Sequence, residues 1–348
     1  MPGLSWEDAG KVAVKLRQWA GLARQEPGAV LPENLSVVTP AMVPGFRRRW
    51  QRGLNRRLMA RKLHGVLGPR RPGEQRIAIT TLPITADLVG TLDVDRWVYY
   101  CVDDFSQWPG LDGATLEALD RELIAKVDRV VCVSETLRQR VAGLGKASEL
   151  LTHGIDLEHW SSPSTRALPE WWARVKKPVY LFWGLVDRRL DTAWCLALAA
   201  RGGTLVLVGP RQSPDETLAR AANILMPGPL AYEALPGVAA AADVLVMPYA
   251  DLLVTRAMQP LKFKEYLATG KPVAARRLPS VAEWHDAADL AVSAEGFVSL
   301  AEERGKWGLS ALQVEARKRL ARESWEIKAR DFEKVIVGES GAASRGAS

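Results

Sequence analysis

The feature that most constrains this chain is an alternation. Short apolar, β-rich runs recur along it, separated by stretches of helical periodicity, which is the pattern of parallel sheets crossed by helices. A first series reads "LSVVTP" (35–40), "RIAITT" (76–81), "RWVYYCVDD" (96–104), "RVVCVSE" (129–135) and "ELLTHGID" (149–156). After the polar "SSPSTRALPE" (161–170) a second begins: "PVYLFWG" (178–184), "TLVLVGP" (204–210), "NILMPG" (223–228), "DVLVMPY" (243–249) and "KPVAARR" (271–277). Helix-like segments such as "TLEALDRELIAKV" (115–127) and "DTAWCLALAA" (191–200) lie between them. The economical architecture is two doubly wound α/β domains, residues 1–160 and 161–336, followed by a loose tail at 337–348 that has too little apolar surface to order.

A chain of 348 residues, 47% hydrophobic, suffices for two such cores. No run reaches the roughly 18 apolar residues a membrane span needs, and "MPGLSWEDAGKVAVKL" lacks the apolar core of a signal peptide. Cys101, Cys132 and Cys195 are odd in number and sit in apolar segments, as buried thiols in a reducing compartment do. A cytoplasmic protein without metal or cofactor site is expected.

The net charge of +7 is uneven, because residues 34–73 hold ten Lys or Arg and no acid. Within them, "FRRRWQRGLNRRLMARK" (46–62) spaces Phe46, Trp50, Leu54 and Leu58 four apart on one helical face, with Arg57 and Arg61 intruding. Such a helix serves either as a solvated element with a few core contacts or as a dock on anionic membrane. Aromatic interleaving is too sparse for a nucleic-acid surface, so no nucleic-acid partner is expected.

In doubly wound domains ligand groups stand where strands end, which selects the candidates. Asp103 and Asp104 follow "VYYCV", and Ser134 with Glu135 follow "VVCV". Paired acids there act as a general base or hydroxyl-binding pair, or else cap a helix or brace a loop. His153 in "THGID" either contacts a phosphate or the reacting group, or is structural. In "FWGLVDRRLD" a strand ends at Gly184, and Arg188 and Arg189 precede a helix, an arrangement suited to a diphosphate. No GxGxxG or P-loop pattern accompanies it. The stretch "TRAMQPLKFKEYLATGKPVAARRLPS" (255–280) sets one acid, Glu265, among Arg256, Lys262, Lys264 and Lys271. Read as neighbouring basic clusters before a helix closed by Gly270, these loops make an anion pocket in which Glu265 can accept hydrogen bonds from ribose hydroxyls.

At this point the chain resembles a known group. "QPLKFKEYLATGKPVAARRLP" is similar to the donor-site helix of GT-B glycosyltransferases that use nucleotide sugars, whose pattern reads Pro-x-Lys-x-x-Glu-Tyr-x-Ala-x-Gly-Lys-Pro-Val. "FWGLVDRRLD", "GPLAYEALPGVAAAADVLVMPYA" and "SWEIKARDFEKVI" resemble that group's Gly-x-Ile-Asp-x-Arg-Leu-Asp loop, Tyr-x-x-Leu-Pro segment and closing Ser-Trp helix. "VYYCVDDFSQWPG" and "HGIDLEHW" are similar to its Tyr-Asp-Cys-x-Asp-Asp/Glu segment and its Asn-Gly-Val-Asp hinge.

The resemblance implies a GT-B fold, two Rossmann-like domains facing a central cleft, with an N-terminal acceptor domain and a C-terminal donor domain. It implies that Glu265 binds the donor ribose, that Arg189 and Lys262 neutralise the diphosphate leaving group, and that Arg256 lies beside them. The expected activity is transfer of a sugar from a UDP- or GDP-sugar to a glycan or lipid-linked acceptor in envelope or exopolysaccharide synthesis. Such an enzyme is metal-independent and retaining, and works in the cytoplasm or on the inner face of the plasma membrane. Three departures stand against the pattern. Met258 occupies the place of an acid seven residues before Glu265, His153 replaces the hinge Asn, and the opening residues read as helix where the group begins with a strand. The alternative they leave is a GT-B-like binding or scaffold protein without turnover.

Overall fold

The computed structural model describes residues 32–162 and 167–338. The helix expected over the opening residues lies outside them, as do four residues of the 161–170 connection and all but the start of the 337–348 tail. The chain divides into two compact units: the described residues up to Trp97 with Ala114–Asp128, and Val98–Gly113 with Arg129 onward.

The first unit opens irregularly. Residues 35–40, expected as a strand, form none; Leu35 and Val37 are exposed. A β-branched run holds as a strand only where a ladder and a packed face receive it, and this run is bracketed by Pro32 and Pro40. The first strand among the described residues is β1 (Ile77–Thr80). Before it comes α1 (Arg49–Leu67). The buried Asn55 fixes the approach to this helix: its side-chain oxygen accepts from the Val43 N–H at 2.7 Å and its amide donates to the Val43 and Gly45 carbonyls. Arg52 is spent internally, donating to Asp87 and Glu122 through bonds of 2.6–2.8 Å. Glu122 belongs to α2 (Gly113–Lys126), whose Leu119, Leu123 and Ile124 turn one apolar face to the core.

Among the described residues the second unit holds two larger sets of parallel strands and one small two-stranded ladder. In the smaller of the two sets, β2 (Arg96–Cys101), β3 (Arg129–Cys132) and β4 (Glu149–Leu150) pair in that order. The helix α3 (Glu135–Gly143) starts at Ser134, whose hydroxyl accepts from the Leu137 N–H and donates to the Ala257 carbonyl. Beyond β4 comes the short helix α4 (Leu157–Ser161).

The larger sheet has six strands: β5 (Val179–Trp183), β7 (Thr204–Val208), β9 (Ile224–Gly228), β10 (Val244–Met247), β11 (Val273–Arg276) and β12 (Asp289–Ala291). The pairs β6 (Val186–Asp187) and β8 (Arg211–Gln212) form a separate small ladder. All five residues of β5 and of β7 are buried, as are all four of β10, which is why these strands read as continuous apolar runs. Helices α5 (Thr192–Ala199), α6 (Glu216–Arg220), α7 (Leu235–Ala241), α8 (Leu253–Ala257) and α9 (Leu261–Ala268) connect them. Three more follow: α10 (Ala294–Trp307), α11 (Ala311–Arg317) and α12 (Trp325–Val337).

Strand order is β12-β11-β10-β5-β7-β9. From β5 the chain builds outward through β7 and β9, then returns to the other side of β5 to lay down β10, β11 and β12. The reversal lies between β5 and β10, and the crevice outside the carboxyl ends of two such strands is where doubly wound sheets take ligands.

Candidate active site

The residues after β5 and β10 meet at that reversal. Gly184 follows β5 with φ of 137°, and Tyr249 lies two residues beyond β10. Between them runs the side chain of Lys262, the second residue of α9. Its Nζ donates to the Tyr249 hydroxyl at 2.5 Å and sits 5.1 Å from the Phe182 ring centroid and 5.2 Å from that of Tyr249. A Cβ on residue 184 would come within 2.2 Å of that nitrogen, so glycine is required here both by the backbone angle and by the lysine crossing it.

Glu265 stands three residues further along α9, on the same side of the helix. It is buried, and one carboxylate oxygen accepts from the Trp183 indole N–H at 2.9 Å. Burial pushes its pKa up, opposed by the Trp183 hydrogen bond and by the charges of Lys262 and His159. Aromatic rings wall this acid. Trp160 and Trp183 stack at 5.0 Å, Trp183 packs edge-on to Tyr266 at 4.1 Å, and His159 stacks on Tyr232 at 4.1 Å with planes 8° apart. The indole nitrogen of the buried Trp160 and Nε2 of His159 have no protein partner there.

Arg189 and Asp103 form a neighbouring group. The buried guanidinium of Arg189 takes both oxygens of Asp187 through Nε, at 3.1 and 2.9 Å, and lies 4.5 Å over the Trp108 ring. Asp103 has one buried carboxylate oxygen without a hydrogen-bond partner. Desolvation raises its pKa to about 6, against the Arg189 charge and the Trp108 indole, which pull it down. Asp104 is used differently: its carboxylate accepts from the Ser106 N–H at 3.1 Å and hydroxyl at 2.5 Å, closing the turn after β2, and lies 3.5 Å from Arg140. His153 is mostly buried, its Nδ1 3.3 Å from the Tyr100 hydroxyl. Burial and the nearby Lys264 charge push its pKa down to about 4, so it is a neutral imidazole.

The cations around Glu265 in sequence disperse in space. Arg256 is exposed and paired through both its Nε and a terminal nitrogen with Asp251, at 2.5 and 2.8 Å. Lys264 is buried on another side of α9, against Glu323. Of the four, Lys262 is the one whose charge holds the Glu265 pKa down against burial. Lys262 also lies inside α9 rather than ahead of it. The helix end expected to receive a phosphate after Arg189 is taken as well: Asp191 caps α5 by accepting from the Trp194 N–H at 3.1 Å, and its other oxygen pairs with Arg276. The N-terminus of α9, headed by Pro260, has no side-chain cap. Sequence reasoning missed Tyr249, Trp183, Trp108 and the His159–Tyr232 stack. The signal for the first two was position, since Trp183 ends one strand and Tyr249 closely follows another.

No family model matches the chain. A putative teichuronic acid biosynthesis glycosyltransferase, TuaH of Bacillus subtilis (strain 168), is 27% identical over 180 residues, 48% of this chain and 45% of that protein. The chain thus matches less than half the length of this curated relative. Among solved structures, a sucrose-phosphate synthase from Thermosynechococcus elongatus superposes with a TM-score of 0.67 at 15% identity, over 98% of this chain and 94% of that one. Anabaena HepE in complex with UDP gives 0.59 at 13% identity, over 81% and 83%. The architecture is GT-B, the fold that the motif order implies.

Proposed function

We propose that this protein is a glycosyltransferase that takes a nucleotide sugar at the ends of β5 and β10 and passes the sugar to an acceptor hydroxyl. The observation that carries the reading is Lys262: a positive charge laid across Gly184, beside the uncapped start of α9, with Glu265 on the same side of the helix. A diphosphate at that helix end meets backbone N–H groups and the ammonium, and Glu265 accepts from the ribose hydroxyls. Arg189, its Nε held by Asp187 and its guanidinium over Trp108, assists as negative charge grows on the departing diphosphate. Because these groups supply the neutralising charge, the reaction proceeds without a metal ion, and by resemblance with retention. UDP is the favoured nucleotide, since HepE was captured with it. Asp103 is positioned as hydroxyl-binding group or base, while Asp104 and His153 hold the turn and the strand end around it.

The likeness to a teichuronic acid enzyme supports an acceptor in envelope polysaccharide. Residues 161–336 serve as the donor half and 1–160 as the acceptor half. On α1, Trp50 is 58% and Leu54 38% exposed, beside exposed Arg47, Arg48, Arg49, Arg57 and Arg61. This surface suits docking on an anionic membrane, bringing a lipid-linked acceptor within reach. Among the described residues no helix is long and apolar enough to cross a membrane.

The test is release of nucleoside diphosphate from UDP- and GDP-sugars by the purified chain, with and without EDTA. Turnover of at least one donor that survives EDTA is expected. Silence toward every sugar nucleotide, with nucleotide binding intact, would leave a binding protein of the same fold.

A further inference from the structure

Lys264 is the most deeply buried charged side chain among the described residues, at 1% exposure, and the donor-site reading gives it no task. Its ammonium makes three contacts, matching its three protons: the Thr152 hydroxyl at 3.0 Å, the His153 carbonyl at 2.7 Å, and the Glu323 carboxylate. Glu323 is shared with Lys328 at 2.9 Å. The same short segment is gripped from other directions. The His153 N–H donates to the Gln259 side chain at 3.2 Å, just ahead of α9. The Ile155 N–H donates to the Glu323 carbonyl at 2.8 Å, and the Trp325 N–H to the Ile155 carbonyl at 3.2 Å. Gly154 lies against Trp325 so closely that a Cβ would meet its ring at 2.7 Å.

Successive helical residues turn by about 100°, so Lys264 points well away from the side that carries Lys262 and Glu265. One helix therefore presents two side chains to the strand ends and drives a third into the 152–155 segment. Burying an ammonium is costly unless every proton is met, and here every proton is met, two by the Thr152–His153 segment and one by Glu323. An apolar residue would fill the same space without fixing where α9 stands along its axis; a three-point ammonium does fix it.

We propose that Lys264 is a positioning residue for the donor site: by tying α9 to Thr152, His153 and Glu323 it sets where Lys262 and Glu265 stand at the ends of β5 and β10. This inference rests on the donor-site reading above. Lys264→Met keeps the length of the side chain and leaves Glu323 paired with Lys328. Thr152→Val removes one of the three acceptors with little change of shape.

UDP affinity by calorimetry, measured on folded protein well below each variant's unfolding midpoint, tests the idea. A role confined to stability lowers the midpoint and leaves the affinity of folded molecules unchanged. The expected result is a loss of about tenfold for Lys264→Met, in line with the sensitivity of such sites to sub-ångström misplacement. Thr152→Val should lose roughly two- to threefold on the same scale. Should Lys264→Met fail to fold, Thr152→Val carries the test. A folded variant that binds UDP as the parent does overturns the proposal. A parent that binds no nucleoside diphosphate removes the donor-site reading itself, and this proposal with it.

Discussion

Residues 46–62 and 256–271 are both dense in positive charge, yet the fold uses them in opposite ways. On α1 and just before it, Arg47, Arg48, Arg49, Arg56, Arg57, Arg61 and Lys62 are exposed, and Arg52 is held between Asp87 and Glu122. Around α9 three of the four cations are spoken for: Arg256 by Asp251, Lys264 by Glu323, and Lys262 by the Tyr249 hydroxyl. Charge density along a sequence is therefore a poor guide to the field a ligand meets. The first region is a diffuse exposed surface. The second holds one ammonium aimed at a tyrosine hydroxyl.

The largest expected effect lies at that ammonium. Lys262→Met should cut turnover by roughly 100-fold or more, since a positioned charge opposite a leaving group typically contributes on that scale. Donor affinity should fall much less. Equal losses in turnover and affinity would make Lys262 an anchor only, and Lys262 would then resemble the α1 cations more than the comparison allows.

Next in size is Asp103, through stability as well as activity. Its folded pKa of about 6 lies above the 3.8 of the free group, so the native state binds the extra proton. That contribution to stability is complete below pH 4 and is lost as the pH rises through 6. Asp103→Asn should accordingly be more stable than the parent at pH 8, by up to about 2 to 3 kcal/mol, and no different at pH 3.5. Denaturant midpoints at the two pH values check the sign; equal stability at pH 8 would mean the carboxylate is better solvated than its buried oxygen indicates. If Asp103 also serves as the base, the rate of the parent should fall on the acid side of pH 6.

Much of the large sheet was legible in the sequence, because strands buried on both faces must be apolar throughout. "PVYLFWG", "TLVLVGP" and "DVLVMPY" each contain a strand of the sheet, β5, β7 and β10. Residues 35–40 show the limit: the same residue types without a ladder stay irregular. At the site, Glu265 and Lys262 could be picked out as an acid among cations and by the likeness to a donor-site motif, whereas the contacts that give them meaning could not. Tyr249 and Lys262 are 13 residues apart and Trp183 and Glu265 are 82 apart, and only strand order brings them together. Lys264 was read with the other cations as part of an anion pocket; its burial depends on acceptors from the Thr152–His153 segment and from Glu323, far apart in the chain.

A smaller effect is expected on membranes. Arg47, Arg48, Arg49 and Arg56 changed together to Gln should weaken retention on anionic vesicles, at about 1 kcal/mol for each basic group near the surface. Arg52 is left in place because removing it would strand Asp87 and Glu122. Retention equal for parent and variant, or absent from both, would leave α1 a solvated helix. Smallest of all should be Arg256→Gln, which breaks one exposed ion pair, with donor affinity within about twofold of the parent. A large loss there would show that Arg256 leaves Asp251 for the phosphates, and the contrast between the two basic regions would weaken.

The most direct test of the donor site is calorimetric titration of UDP into the parent and into Glu265→Gln. The parent should bind, and the variant, keeping its shape but losing the charged acceptor, should bind about 10- to 100-fold more weakly, the equivalent of 1.5 to 3 kcal/mol for hydrogen bonds to a charged group. UDP bound equally well by both proteins would contradict the account, because the acid at the centre of α9 would then have no part in holding a nucleotide.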